Sequence, residues 1–221
     1  MLFNDFLLLL PKIKNMALPS YDSQFKMSPP FRKEFIDRYR EEMKSAKQAG
    51  VMALFYPDTN RLTKFVLILR KTYKGVHSAQ IGFPGGRIEP DDDTLKHAAL
   101  RETYEEVGVP VKAIEVVKEL TEVYIPPSNF YVRPYLGFLK ETPVFIKEET
   151  EVEDTVEVLL SDFLDEEAVI SKTITTSYAK QVEVPAYKLN DQIVWGATAM
   201  MSVSYTHLTL PTNTVTCRSR W

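Results

Sequence analysis

The chain has 221 residues, 44% of them hydrophobic and 26% charged, and its 27 Lys and Arg against 30 Asp and Glu leave a formal charge of −3. That composition supports one sizeable core and excludes intrinsic disorder, collagen and coiled coil. Weak, evenly mixed charge makes nucleic acid an unexpected partner. The single cysteine, Cys217, excludes an internal disulfide and a cysteine-built zinc site, which suits a reducing, cytoplasmic setting.

At the N-terminus the apolar stretch Phe6 to Leu10 is far shorter than the roughly 20 residues a spanning helix needs, so no membrane partner is expected. Asp5 and no Lys or Arg precede it and Pro11 ends it, which is not the form of a signal peptide; a buried amphipathic helix is the expectation. Residues 31–49 are charged and helix-prone. After Gly50 come short apolar runs, VMALFYP at 51–57 and FVLIL at 65–69, separated by Asp58-Thr59-Asn60, which predicts paired strands. A turn-rich loop then leads into a helix over 94–107, with Asp93 as its N-cap, Gly108 just past its end, and Leu95, Ala98, Ala99 and Val107 on its packed side. Further strands are predicted at 113–125, 131–139, 155–160 and 181–188, with a short helix near 161–166 and a strand running into a helix over 193–201. The sum is a mixed α/β domain.

From Val203 the chain changes character: VSYTHLTLPTNTVTCRSRW is rich in Thr, carries no acidic residue, and has no apolar period. It reads as the translation of a transposase adapter used in sequencing libraries. On this reading the native C-terminus is absent, and the helix that starts near 196 is expected to stop after about two turns. The expected organisation is an N-terminal helical extension over 1–50, a main domain over 51–202 and a non-native tail over 203–221.

The chemistry concentrates on the helix over 94–107. Its 3.6-residue period places Glu102, Glu105 and Glu106 on adjoining surface, where three carboxylates repel one another unless a cation holds them ionised. An oxygen-only set favours Mg²⁺ or Mn²⁺ over zinc. Gly85 and Gly86, in the loop before the helix, let the backbone approach a ligand and present a carbonyl to the metal. Arg101, one residue before Glu102, can hold the neighbouring carboxylates in place with its guanidinium fork. A Glu-Glu pair alone is usually a solvated helix face and a Gly-Gly pair alone a turn. Only their conjunction points to a site.

That conjunction resembles the signature of the Nudix hydrolases, matched by Gly86, Arg101, Glu102, Glu105, Glu106, Gly108 and Val109, with Thr103 at a position usually apolar. Asp92 or Asp93 stands where the signature has Glu, and the box is one residue longer than the common form. The extra residue, and the stretch Gly75 to Gly86 (GVHSAQIGFPGG), resemble the coenzyme A pyrophosphatase subfamily, with Gly75 in place of an Arg and Ala79 in place of a Gly. Arg70, Lys71 or Lys74 are candidates for the missing positive charge. The resemblance extends to Leu18–Arg32, Tyr124–Leu136 and Trp195–Met200.

The resemblance implies a Nudix fold, a mixed β-sheet sandwiched between α-helices, with residues 51–202 as the Nudix domain. It implies Mg²⁺ or Mn²⁺ held by Glu102, Glu105 and Glu106 with the Gly86 carbonyl, and in-line attack of an activated water on phosphorus. The general base is either a glutamate of the box or Glu151. His77, Gln80 and Lys74 are implied contacts to substrate phosphates, beside Gly85 and Gly86, with the Ile125–Phe130 loop bordering the substrate. The main activity implied is metal-dependent cleavage of the pyrophosphate bond of coenzyme A or acyl-CoA to 3′,5′-ADP and 4′-phosphopantetheine or its acyl form. The alternatives are a Nudix enzyme acting on another nucleoside diphosphate derivative such as ADP-ribose, and a nucleotide-binding module without activity. A homodimer is the assembly allowed for.

Overall fold

The computed structural model describes residues 1–19, 21–72, 79–175 and 180–209. Among them the chain runs through α1 (Phe3–Asn15), α2 (Tyr21–Phe25), α3 (Arg32–Arg38), β1 (Lys47–Pro57), β2 (Thr63–Arg70), β3 (Ile81–Gly82), β4 (Gly85–Arg87) and α4 (Leu95–Val107). There follow β5 (Glu115–Glu119), β6 (Val123–Ile125), β7 (Phe130–Phe138), β8 (Val152–Leu159), α5 (Leu160–Phe163), β9 (Val169–Ile174), β10 (Val182–Leu189), β11 (Gln192–Trp195) and α6 (Gly196–Thr209).

β1 is the axis of the main sheet. It pairs in parallel with β7, from Lys47 opposite Phe130 to Phe55 opposite Phe138, and antiparallel with β2. The order is β3-β2-β1-β7-β5, with β4 added to β1, β6 to β7 and β8 to β2; β9, β10 and β11 form a separate three-stranded sheet. The continuous apolar run of β1 follows from burial on both faces, because alternate side chains enter different cores. Ala49, Val51, Ala53 and Phe55 share one core with α1, α5 and α6, while Met52, Leu54 and Tyr56 share the other with α4. Helices therefore cover both faces of a mixed sheet, the expected α/β/α arrangement.

Several elements differ from the sequence reading. Pro11 lies inside α1 rather than ending it. Phe3 and Phe6 are fully buried, so tertiary packing supports a helix that lacks one amide donor. The Lys118 ammonium closes the far end by donating to the carbonyls of Ile13, Lys14 and Met16. Helix in the 31–49 region is confined to α3 and one 3₁₀ turn at Glu42–Ser45, and β1 already begins at Lys47. The 113–125 strand is two strands, β5 and β6, and β9 was not foreseen. At the other end α6 continues past residue 202, with Val203 and Ser204 buried.

Candidate active site

α4 is framed by its two ends. Thr94, with extended backbone, is the N-cap, and its side chain accepts from the His97 N–H at 3.2 Å. Asp93, the expected cap, instead faces the His97 ring at 3.4 Å. Gly108 closes the helix in the left-handed region (φ 73°), its N–H bonded to the Tyr104 carbonyl at 2.8 Å. Thr103 fits the apolar position of the box because its hydroxyl donates to the Ala99 carbonyl at 2.6 Å, so no buried hydroxyl is left unmet.

β4 lies antiparallel on β1, Gly86 opposite Gly50, and so carries the Gly85-Gly86 backbone onto α4. The Gly85 N–H donates to Glu106 Oε2 at 2.7 Å. Gly86 sits flush against the Glu102 carboxylate, where any side chain would collide with it. Glu106 is 2% exposed and Glu102 15%, whereas Glu105 is 51% exposed and paired with Arg101 at 2.9 Å. The three carboxylates thus form two buried or nearly buried groups against the glycines and one on the rim. Burial pushes Glu106 up to about 7 despite the Arg70 guanidinium 3.3 Å from Oε1, and burial likewise raises Glu102.

Arg101 gathers the neighbouring carboxylates. It donates to Asp92 at 2.9–3.3 Å, to Glu102 at 3.0 Å and to Glu105 at 2.9 Å, with a further bond to the Arg87 carbonyl at 3.1 Å. Of the two aspartates left open by the sequence, Asp92 is the one drawn in; its side chain is 4% exposed, and the bond to Arg101 holds it below the usual carboxylate range.

Glu151 is exposed on the loop after β7, and its negative charge is among those that raise Glu102 and Glu106. The loop is fastened to the end of α4 by the N–H groups of Ile146 and Glu148, which bond the Val107 and Glu106 carbonyls at 3.0 Å each. Gln80 lines the cavity described next, and its carbonyl accepts from the Arg70 N–H. Lys74 and His77 lie outside the described residues. Of the three candidates for the missing positive charge, Arg70 reaches the site: its guanidinium donates to the Gly85 carbonyl at 2.8 Å and faces Glu106.

Beside the glycines opens a cavity of about 250 Å³. Three arginines, Arg32, Arg70 and Arg87, line it, and its described lining contains no Asp or Glu. Phe31, Phe35 and Pro29 come from the N-terminal segment, Pro126 and Pro127 from the turn ahead of β7, Phe130 from the start of β7, Trp195 from the end of β11 and Gly196 to Thr198 from the start of α6. Sequence reasoning missed the contribution of residues 29–35 to this wall; the resemblance over Leu18–Arg32 was the signal that could have found it.

Whether these residues suit a divalent metal can be judged from their donors. Among the described residues no group of three or more His, Cys, Asp or Glu forms a metal cage. Two carboxylates and a backbone carbonyl nevertheless suit Mg²⁺ or Mn²⁺, which bind through one or two carboxylates plus water and substrate phosphates. Glu106 Oε1 is buried without a hydrogen bond, and a cation there would offset that cost. The donor set fits.

The acidic face of α4 meets the β4 glycines next to an arginine-lined cavity on an α/β/α sheet, a site suited to a divalent cation beside phosphate groups. Comparison with protein families matches the NUDIX domain to residues 46–177, and the chain belongs to the Nudix family. It is 27% identical over 179 residues to the uncharacterized Nudix hydrolase NudL of Yersinia pestis (strain Pestoides F), covering 75% of this chain and 88% of the relative. NudL of Yersinia pseudotuberculosis serotype O:1b (strain IP 31758) gives the same figures. Among solved structures, the MutT/nudix family protein of Enterococcus faecalis is similar with a TM-score of 0.51 at 18% identity, covering 88% of this chain and 75% of that one. The chain is a Nudix-type pyrophosphohydrolase acting on a nucleotide diphosphate derivative. No helix among the described residues is long and apolar enough to cross a membrane.

Proposed function

We propose that the chain hydrolyses the pyrophosphate of a nucleoside diphosphate linked to a second group, ADP-ribose being the type, with Mg²⁺ or Mn²⁺ as cofactor. The observation that carries this reading is the meeting of Glu102 and Glu106 with the Gly85-Gly86 backbone at the mouth of a cavity lined by three arginines. Glu102, Glu106 and the Gly86 carbonyl would hold the metal, with Glu105 joining from the rim. A divalent metal bound there would supply charge neutralisation at the pyrophosphate and a more acidic water. Arg101 keeps Glu102 and Glu105 aimed while Asp92 fixes the guanidinium from behind. Glu151 is the general base, acting from an exposed loop within electrostatic reach of both buried glutamates. Arg70 supplies positive charge at the pyrophosphate, with Gln80 beside it.

Coenzyme A and its acyl derivatives are the second reading, favoured by the run Gln80-Ile81-Gly82-Phe83-Pro84-Gly85-Gly86. Gly75 and Ala79 depart from the pattern of that subfamily, and the general reading needs neither. Product chromatography after incubation with Mg²⁺ and either ADP-ribose or coenzyme A separates the two. AMP and ribose 5-phosphate from the first substrate, lost in Glu106→Gln, support the proposal. Cleavage of coenzyme A alone to 3′,5′-ADP and 4′-phosphopantetheine replaces it with the second reading, and cleavage of neither refutes both.

A further inference from the structure

The cavity has two unlike ends. At the glycine end, Arg70 spends one terminal nitrogen on the Gly85 carbonyl and Glu106; its other guanidinium donors have no partner among the described residues, and it lines the cavity. A planar fork with unused donors, one residue from the glycine that faces Glu102, suits a phosphate oxygen. Farther along β1, where Phe130 lies opposite Lys47 while Gly86 lies opposite Gly50, the wall includes Phe31, Pro126, Pro127 and Phe130, rigid apolar surfaces of the kind that receive a flat ring.

The far wall is held ready. The Arg32 guanidinium donates to the Tyr124 carbonyl, which ties the start of α3 to the strand leading into the proline turn. That turn ends at Asn129 in the left-handed region (φ 52°), with the Asn129 side chain accepting from the Tyr124 hydroxyl at 2.9 Å. Two segments about ninety residues apart are thereby set around one slot, and the Phe31 side lies outside residues 46–177 that match the family. Little ordering is left to be done on binding, which favours affinity.

We propose that this cavity seats the nucleoside monophosphate half of the substrate, with Arg70 donating to its phosphate and the Phe31, Pro126, Pro127 and Phe130 wall receiving the base. The assignment rests on the pyrophosphohydrolase reading above and adds which half lies where. Among the described lining residues there is no Asp or Glu, and the carboxylate nearest to Arg70 is that of Glu106 at 3.3 Å, on the side of α4. The metal-holding face of α4 lies across Gly85-Gly86, so a scissile pyrophosphate at the glycines puts one phosphate within the cavity and leaves the second group outside.

The test uses the full chain in EDTA, so that nothing turns over, with binding followed by calorimetry and by fluorescence of Trp195 in the cavity wall. The ligands are AMP, adenosine, ribose 5-phosphate and 4′-phosphopantetheine. AMP should bind more tightly than ribose 5-phosphate by roughly 5- to 100-fold through the base. Arg70→Ala should weaken AMP by roughly 10- to 100-fold and leave adenosine unchanged, the adenosine titration showing that the cavity is still folded. Arg70→Lys should recover part of the loss, and Phe31→Leu should narrow the gap between AMP and ribose 5-phosphate.

The assignment is overturned if AMP does not bind at millimolar concentration, if AMP and ribose 5-phosphate bind alike, if Arg70→Ala binds AMP normally, or if 4′-phosphopantetheine displaces AMP. A chain that shows the expected binding but cleaves no nucleoside diphosphate derivative with Mg²⁺ refutes the hydrolase reading and leaves this one standing. Turnover without preferential AMP binding does the reverse.

Discussion

Replacing Glu106 with Gln removes a charge that is costly to bury in the metal-free fold. Burial raises its carboxyl from 4.5 to about 7, opposed by Arg70 and the Gly85 N–H. A group raised in this way adds stability that is fully present below the unfolded value, near 4.5, and is lost as pH rises through about 7. The gap from 4.5 to about 7, at about 1.36 kcal/mol per pH unit, amounts to about 3 kcal/mol. In EDTA, Glu106→Gln should therefore be more stable than the parent chain by up to about 3 kcal/mol at pH 8, falling below about 1 kcal/mol at pH 5. The gain is a ceiling, because the new amide N–H group meets the Arg70 guanidinium.

Urea unfolding at both pH values measures the difference directly. Mn²⁺ should close most of that gap at pH 8: an ion saturating the parent site at a hundred times its dissociation constant adds about 2.7 kcal/mol, and the variant should gain far less. Equal stabilities of parent and variant at pH 8 in EDTA would refute the argument that the fold buries this charge uncompensated. Equal stabilisation by Mn²⁺ would refute Glu106 as a ligand.

Arg101→Ala leaves Asp92 buried without its partner and frees Glu102 and Glu105; loss of about 1–3 kcal/mol in urea unfolding and at least a tenfold fall in kcat are expected, with Lys restoring stability better than kcat. Because Arg101 holds the Asp92 carboxyl low, its contribution exists above the unfolded value of that group and disappears as pH falls through the lowered one, so parent and Arg101→Ala should converge in strongly acid urea melts. Gly86→Ala drives a methyl into the Glu102 carboxylate and should cost activity far more than stability, read as kcat against the urea midpoint. Lys118→Met removes the closure of α1 and should lower stability by about 1–2 kcal/mol without changing kcat.

The strongest sequence signal was the helix that bears the glutamates, since its period, its Gly108 terminus and its buried Leu95, Ala98 and Ala99 are all local properties. Its N-cap was misplaced by one residue because Asp93 and Thr94 are both good caps, and only the backbone decides between them. Pro11 misled for the opposite reason: a local helix breaker was overruled by Phe3 and Phe6 packing under the sheet. Which aspartate serves Arg101 was not legible either, because an extra residue in the loop changes the spacing while the fold restores the contact. Burial of Glu106 was invisible on a helical wheel that puts it beside exposed Glu105; the difference arises where β4 arrives.

The site separates opposite charges across two glycines. Glu102 and Glu106 stand on the side of α4, and Arg70 reaches the same backbone from the side of β2. Burial raises Glu106 even though a guanidinium lies 3.3 Å away, so the carboxylate is costly to hold ionised. A divalent ion among the carboxylates removes the need for Arg70 to serve Glu106 and leaves more of its donors for an anion in the cavity. Metal and phosphate should then bind with positive coupling through one side chain, and by linkage the gain must be reciprocal. The coupling predicts that AMP tightens when Mn²⁺ is added and that Mn²⁺ tightens by the same factor when AMP is added. Loss of that factor in Arg70→Ala would locate the coupling in Arg70, and its persistence would assign the coupling to direct contact between the ion and the phosphate.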